Sequence, residues 1–98
     1  MTDRITNSML ADKVEYINKR LNRPVAGWKN DDSGKWSSLE GHIMIDHYNP
    51  GDNPYQWKLT EYANTDGGQR DWTNYRMTRK EFYAYLIGII EGLERMQT

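Results

Sequence analysis

The stretch from Met77 to Met96 constrains this chain most, because the start, the buried face and the end of a helix are all legible in it. Thr78 and Glu81 have the spacing of a capping box, in which the Thr hydroxyl accepts from the Glu81 amide and the Glu carboxylate accepts from the Thr78 amide. Met77 before the cap and Phe82 at the fourth helical position are spaced as a hydrophobic staple, which fixes the direction from which the chain arrives. Phe82, Tyr85, Leu86, Ile89, Leu93 and Met96 then recur at intervals of three and four. An apolar stripe of that kind has to be buried against other elements, which the rest of the chain must supply.

A second row on the same helix, Ala84, Gly88 and Gly92, has four-residue spacing and almost no side-chain bulk. Each Gly costs a helix roughly 1 kcal/mol relative to Ala, so the row predicts a close approach. Either the helix lies tightly across its own sheet, or the row forms the seam of a homodimer. A membrane span is excluded: Arg79, Lys80, Glu81, Glu91, Glu94 and Arg95 crowd the segment, and a span needs about 18 or more apolar residues in a row.

Ninety-eight residues make one domain, which at this size buries only about two-thirds of the unfolded chain's surface. With 37% hydrophobic residues and a mean hydropathy of -0.97, the aliphatic core is small, and aromatics have to fill part of it. Four Trp and seven Tyr are more than a thin core hides. Their polar ends suit a rim, a pocket or an interface, and equally the bracing of a sheet face. Thirteen basic against fourteen acidic residues give a net charge of -1, which removes the attraction that dominates non-specific nucleic-acid binding. The absence of Cys excludes disulfides and thiolate chemistry and fits a reducing cytoplasm. The opening MTDRITNSML lacks the apolar centre of a signal peptide, so the expectation is a soluble intracellular protein.

Upstream, a first helix is predicted from Thr6 or Asn7 to Leu21, with Leu10, Val14, Ile17 and Leu21 on one face and Glu15 paired with Lys19. Asn22 suits a left-handed end residue and Pro24 forbids continuation. Ala26 to Lys29 is at most a short extended piece. The turn-forming run from Asn30 to Lys35 would let Trp28 and Trp36 face one another across a hairpin or loop. His42 to Tyr48 is the best strand, with Ile43 and Ile45 directed at the helices. Asn49 to Pro54 makes a compound turn, Tyr55 to Ala63 a second strand, Asn64 to Gly68 a turn, and Gln69 to Tyr75 a third strand. The expectation is an α+β fold in a single domain, residues 1–98. A three-stranded antiparallel meander carries two helices packed on one face, in the order α-β-β-β-α. The other face would present Met44, Tyr48, Lys58 and Tyr62 to water or a partner.

No catalytic constellation survives inspection. His42 and Asp46 share a strand face but lie about 13 Å apart, and His47 points the other way, so they do not converge on a metal. Asp46-His47-Tyr48-Asn49-Pro50 resembles the opening of an HNH nuclease motif, yet the chain has only two histidines and cannot complete it. Gly67-Gly68 leads into no helix and is a turn, not a phosphate loop. Nothing in the pattern asks for a cofactor. The order helix, three strands, helix resembles the double-stranded RNA-binding domain, and Arg79-Lys80 stand where that module places lysines on phosphates. That likeness stops at topology, since its first-helix and loop motifs are absent and the charge balance disfavours nucleic acid.

Ile5-Thr6-Asn7 with Leu10, the run from Val14 to Asn18, Leu21-Asn22-Arg23-Pro24, Gly41-His42-Ile43, the Asn64 to Gly68 turn, and Met77-Thr78 through Tyr83, Ile87 and Gly92-Leu93 span most of the chain. Together they resemble small proteins encoded by tailed bacteriophages. The chain departs from them in its longer Asn49 to Pro54 loop, where those proteins have a compact Gly-Gly-Tyr turn. The resemblance implies an origin in a phage or prophage and expression in bacterial host cytoplasm; it brings no activity. The leading expectation is thus a non-enzymatic accessory protein that binds a host protein and modulates or blocks it, as in defence evasion. The alternative is a small-molecule binder holding a nucleotide-like ligand between rings and guanidinium groups. For both, the candidate binding residues are Trp57, Tyr62, Arg70, Trp72, Tyr75 and Arg76, where rings alternate with polar donors.

Overall fold

A computed structural model of the chain describes residues 4–48 and 51–96; Asn49 and Pro50 of the expected compound turn lie outside the described residues. The elements are α1 (Asn7–Arg20), β1 (Trp28–Asn30), β2 (Trp36–Ser38), β3 (Ile43–His47), β4 (Trp57–Tyr62), β5 (Gln69–Asp71) and α2 (Arg79–Arg95). Both helices begin where their caps require. The Thr78 hydroxyl accepts from the Glu81 amide at 3.2 Å and the Glu81 carboxylate accepts from the Thr78 amide at 2.9 Å, closing the capping box. At α1 the Thr6 hydroxyl accepts from the Met9 amide at 3.1 Å. α1 stops as expected, with Asn22 in the left-handed region at φ 56 and Pro24 just beyond.

The antiparallel meander is present in the order β3-β4-β5, and a second two-stranded antiparallel sheet, β1-β2, stands beside it. One sheet was expected, so the fold is α+β with two helices and two sheets. The extra hairpin forms because the Asp31 carboxylate organises its turn. That carboxylate accepts from the Ser33 hydroxyl, the Ser33 amide and the Lys35 amide, and these bonds hold its pKa below the usual value. Trp28 lies opposite Ser38 and Trp36 opposite Asn30, so the two Trp residues are diagonal neighbours, not partners. The third strand is short, Gln69–Asp71, and does not continue to Tyr75.

Strand pairing sets the two faces of the meander. Ile43 pairs with Glu61, Ile45 with Leu59 and His47 with Trp57, so these six side chains share the helix side. There Ile43, Leu59 and Trp57 pack with Leu10, Val14 and Ile17 of α1 and with Met77, Phe82 and Leu86 at α2. The helices run parallel and side by side. Arg79 donates to the Ile5 carbonyl near both N-termini, and Tyr16 donates to Glu94 further along. The end of the predicted stripe fails, because Met96 is 82% exposed past the edge of the sheet.

The other face is open only in part: Tyr48 is exposed as expected, Met44 and Lys58 are half-buried, and the middle of the face is covered. Thr60 and Tyr62 are buried, and the Trp28 indole N–H donates to the Tyr62 hydroxyl at 2.8 Å while His42 stacks on the same ring. Gly27 allows this closeness: a Cβ there would meet His42 and Tyr62 at 3.2 Å. Ser38 ties the hairpin to the β4-β5 turn, donating to the Asn64 carbonyl and accepting from the Gly67 amide. The Gly row is also corrected. Gly88 and Gly92 are exposed, and nothing of the described chain comes within 4 Å of a Cβ built at either. The helix therefore does not lie along its own sheet through that row.

Candidate binding surface

The six residues singled out by the sequence separate in the fold. Trp57 is buried on the helix side, stacked with His47 at 3.8 Å between centroids and 9° between planes, with the Arg79 guanidinium 4.7 Å from its ring centroid. Tyr62 is buried on the opposite side under Trp28. Alternation puts them there: 57 and 62 differ by an odd number of residues along one strand. Trp72 is half-buried, donating its indole N–H to Glu61 at 2.9 Å, while Arg23 donates to the other carboxylate oxygen of Glu61 at 3.1 Å. This bridge fastens the chain after α1 to β4 and the segment after β5. Arg70 lies opposite Glu61 in the register and is exposed. Trp57, Tyr62 and Trp72 thus brace the sheet, Arg70 stays at its surface, and the four do not line a common pocket.

Arg76 and Tyr75 are placed differently. The Arg76 guanidinium donates to the carbonyls of Asp46 and Gln56, both at 3.0 Å, and to the Asp46 carboxylate at 3.1 Å. It also lies 5.4 Å from the centroid of the Tyr48 ring. So held, it marks the end of the sheet where β3 finishes, β4 begins and Met77 bridges to Trp57. Tyr48, Tyr55 and Tyr75 stand at this end with 57%, 52% and 65% of their surfaces exposed. Partial burial, and then the nearby Tyr75, raise the pKa of the Tyr85 phenol on α2. Tyr48 and Tyr55 were not among the candidates. Their signal was their place on either side of a Pro-containing turn, where a strand's end rings stay uncovered.

A depression of ≈ 1480 Å³ lies between the first turns of the two helices. Its walls include Arg4, Met9, Arg79, Lys80 and Tyr83, and among the described residues no Asp or Glu lines it. The helix termini themselves are closed by their own caps, so the positive character comes from the three cationic side chains.

His42 and Asp46 are used in structure. The His42 ring is 2.8 Å from the Pro24 carbonyl and Asp46 is paired with Arg76. Among the described residues no group of three His, Cys, Asp or Glu is placed to hold a metal, and no helix is long and apolar enough to cross a membrane. No protein-family model, curated protein or solved structure matches the chain.

Proposed function

We propose that this chain is a non-enzymatic protein-binding module whose contact surface is the tyrosine-rich end of the meander. One observation carries the reading: Tyr48, Tyr55 and Tyr75 are more than half exposed, and Tyr48 lies against an Arg76 whose position is already fixed. Tyr and Arg are enriched where binding energy concentrates, because they combine large contact area with directional polar ends. An Arg ordered before binding loses little freedom on contact, which lowers the entropic penalty of association. The predicted nucleotide-like ligand finds less support, since Trp57 and Tyr62 are buried on opposite faces of the sheet. The likeness to small tailed-phage proteins makes a protein of the bacterial host the proposed partner, met in the host cytoplasm and modulated or blocked by the contact.

The test is affinity capture from bacterial lysate with the wild-type chain and with Tyr48→Ala, Tyr55→Ala and Tyr75→Ala. A protein retained by the wild type and weakened at least tenfold by these variants, with thermal unfolding unchanged, is the expected result. Tenfold corresponds to about 1.4 kcal/mol. Capture that survives replacement of all three tyrosines would refute the assignment.

A further inference from the structure

The depression between the helix starts has a chemistry of its own. Arg4 and Lys80 are exposed, neither has an ion-pair partner among the described residues, and Arg79 adds a third positive charge although it also donates to the Ile5 carbonyl. Of the two acids adjacent in sequence to these cations, Glu81 bonds back to the Thr78 amide, and Asp3 lies outside the described residues. Ile5, Met9 and Tyr83 give the walls apolar surface between these charges. In a chain of net charge -1, this is a local excess of positive charge, among the described residues, around an apolar floor.

We propose that this cleft receives a short acidic segment of a partner protein, an extended chain with carboxylates at alternate positions on the side that faces the cleft. It rests on the protein-binding reading only for the source of the segment. Charge complementarity selects the sign of the occupant. Size selects the class. From Lys80 to Ala84 the wall runs about 6 Å at 1.5 Å per helical residue, the span of about two residues of extended chain. A nucleic acid needs a longer cationic track. Here the exposed row of α2 continues through Ala84 and Gly88 to Glu91, and α1 continues to Asp12, so the positive surface ends after one turn.

The experiment uses the full chain and a capped hexapeptide alternating Glu and Leu, with the Gln/Leu hexapeptide, inorganic phosphate and a short duplex RNA as comparison probes. Amide chemical shifts locate each probe and titration gives its affinity. The acidic peptide is expected to shift residues 4–9 and 79–84 and to weaken with salt. Lys80→Glu is expected to reduce its affinity at least tenfold with an unchanged melting midpoint. A carboxylate in the first turn of α2 suits the helix dipole, so loss of binding would not come from loss of fold. Tyr48→Ala is expected to leave peptide affinity unchanged, which separates this cleft from the tyrosine surface. The inference is overturned if the Gln/Leu peptide binds equally well, if Lys80→Glu has no effect, or if affinity follows Tyr48 instead. It is overturned also if phosphate shifts the same amides at equal affinity, or if the RNA binds there more tightly.

Discussion

Asn18 offers the sharpest test of how this fold is held. It is 1% exposed, on α1, and its side-chain amide faces the backbone of Ile43 at the edge of β3. The oxygen accepts from the Ile43 amide and the nitrogen donates to the Ile43 carbonyl, each at 2.9 Å, so one side chain substitutes for a missing neighbouring strand. In Asn18→Ala both Ile43 groups, on a residue that is 0% exposed, lose their partners. A buried polar group left unpaired costs about 1–3 kcal/mol, so the variant should lose about 2–5 kcal/mol. Domains have only about 5–15 kcal/mol of stability in total. The melting midpoint should fall by about 10 °C or more, at about 4–8 °C per kcal/mol for a domain of this size. Urea unfolding followed by Trp fluorescence measures the free energy. Asn18→Asp adds a test of sign. A carboxylate oxygen would replace the donor and face the Ile43 carbonyl in a buried site, so the charged form is disfavoured and the folded-state pKa lies above the unfolded one. The folded state then binds the proton more tightly, and relative to wild type the variant should lose stability as pH rises through the window between the two values. A loss below about 0.5 kcal/mol for Asn18→Ala, or an Asp variant relatively more stable at neutral than at acid pH, would refute the pairing as a stabilising contact.

Leu86→Ala should cost about 2–5 kcal/mol in chemical denaturation because Leu86 is fully buried, whereas Met96→Ala, at an exposed position, should change little. Gly88→Ala should stabilise by up to about 1 kcal/mol, since the new Cβ enters open space; a loss that depends on protein concentration would instead show a second copy seated on that row. Thr60→Val should be neutral or stabilising in the same assay. The Thr60 hydroxyl is fully buried and finds no hydrogen-bond partner among the described residues, so an apolar isostere removes an unsatisfied group.

Much of the fold was legible in the sequence because it is local. The Thr78 and Glu81 capping box depends on residues three apart, and the Leu10, Val14, Ile17 and Phe82, Leu86 stripes depend only on helical periodicity, so both helices lie where the spacing put them. The meander of β3, β4 and β5 followed from alternation and turn residues in the same way. The candidate site was not legible. Composition marked Trp57, Tyr62, Trp72 and Arg76 as binding types, but whether a ring faces solvent or another ring depends on neighbours distant in sequence. Trp28 reaches Tyr62 across thirty-four positions, and Arg76 reaches Asp46 across thirty. The same holds for Asn18, which any reading of α1 places beside its apolar stripe without indicating the strand edge it would meet. Periodicity fixed which residues form each helix, because the hydrogen bonds and caps that define a helix are nearly all made within it, whereas strands are defined by bonds to their neighbours and β5 ended before its pattern did. Tertiary packing decided which aromatics were covered and which cations were gathered between the helix starts, because burial and field are sums over contacts that no local pattern contains.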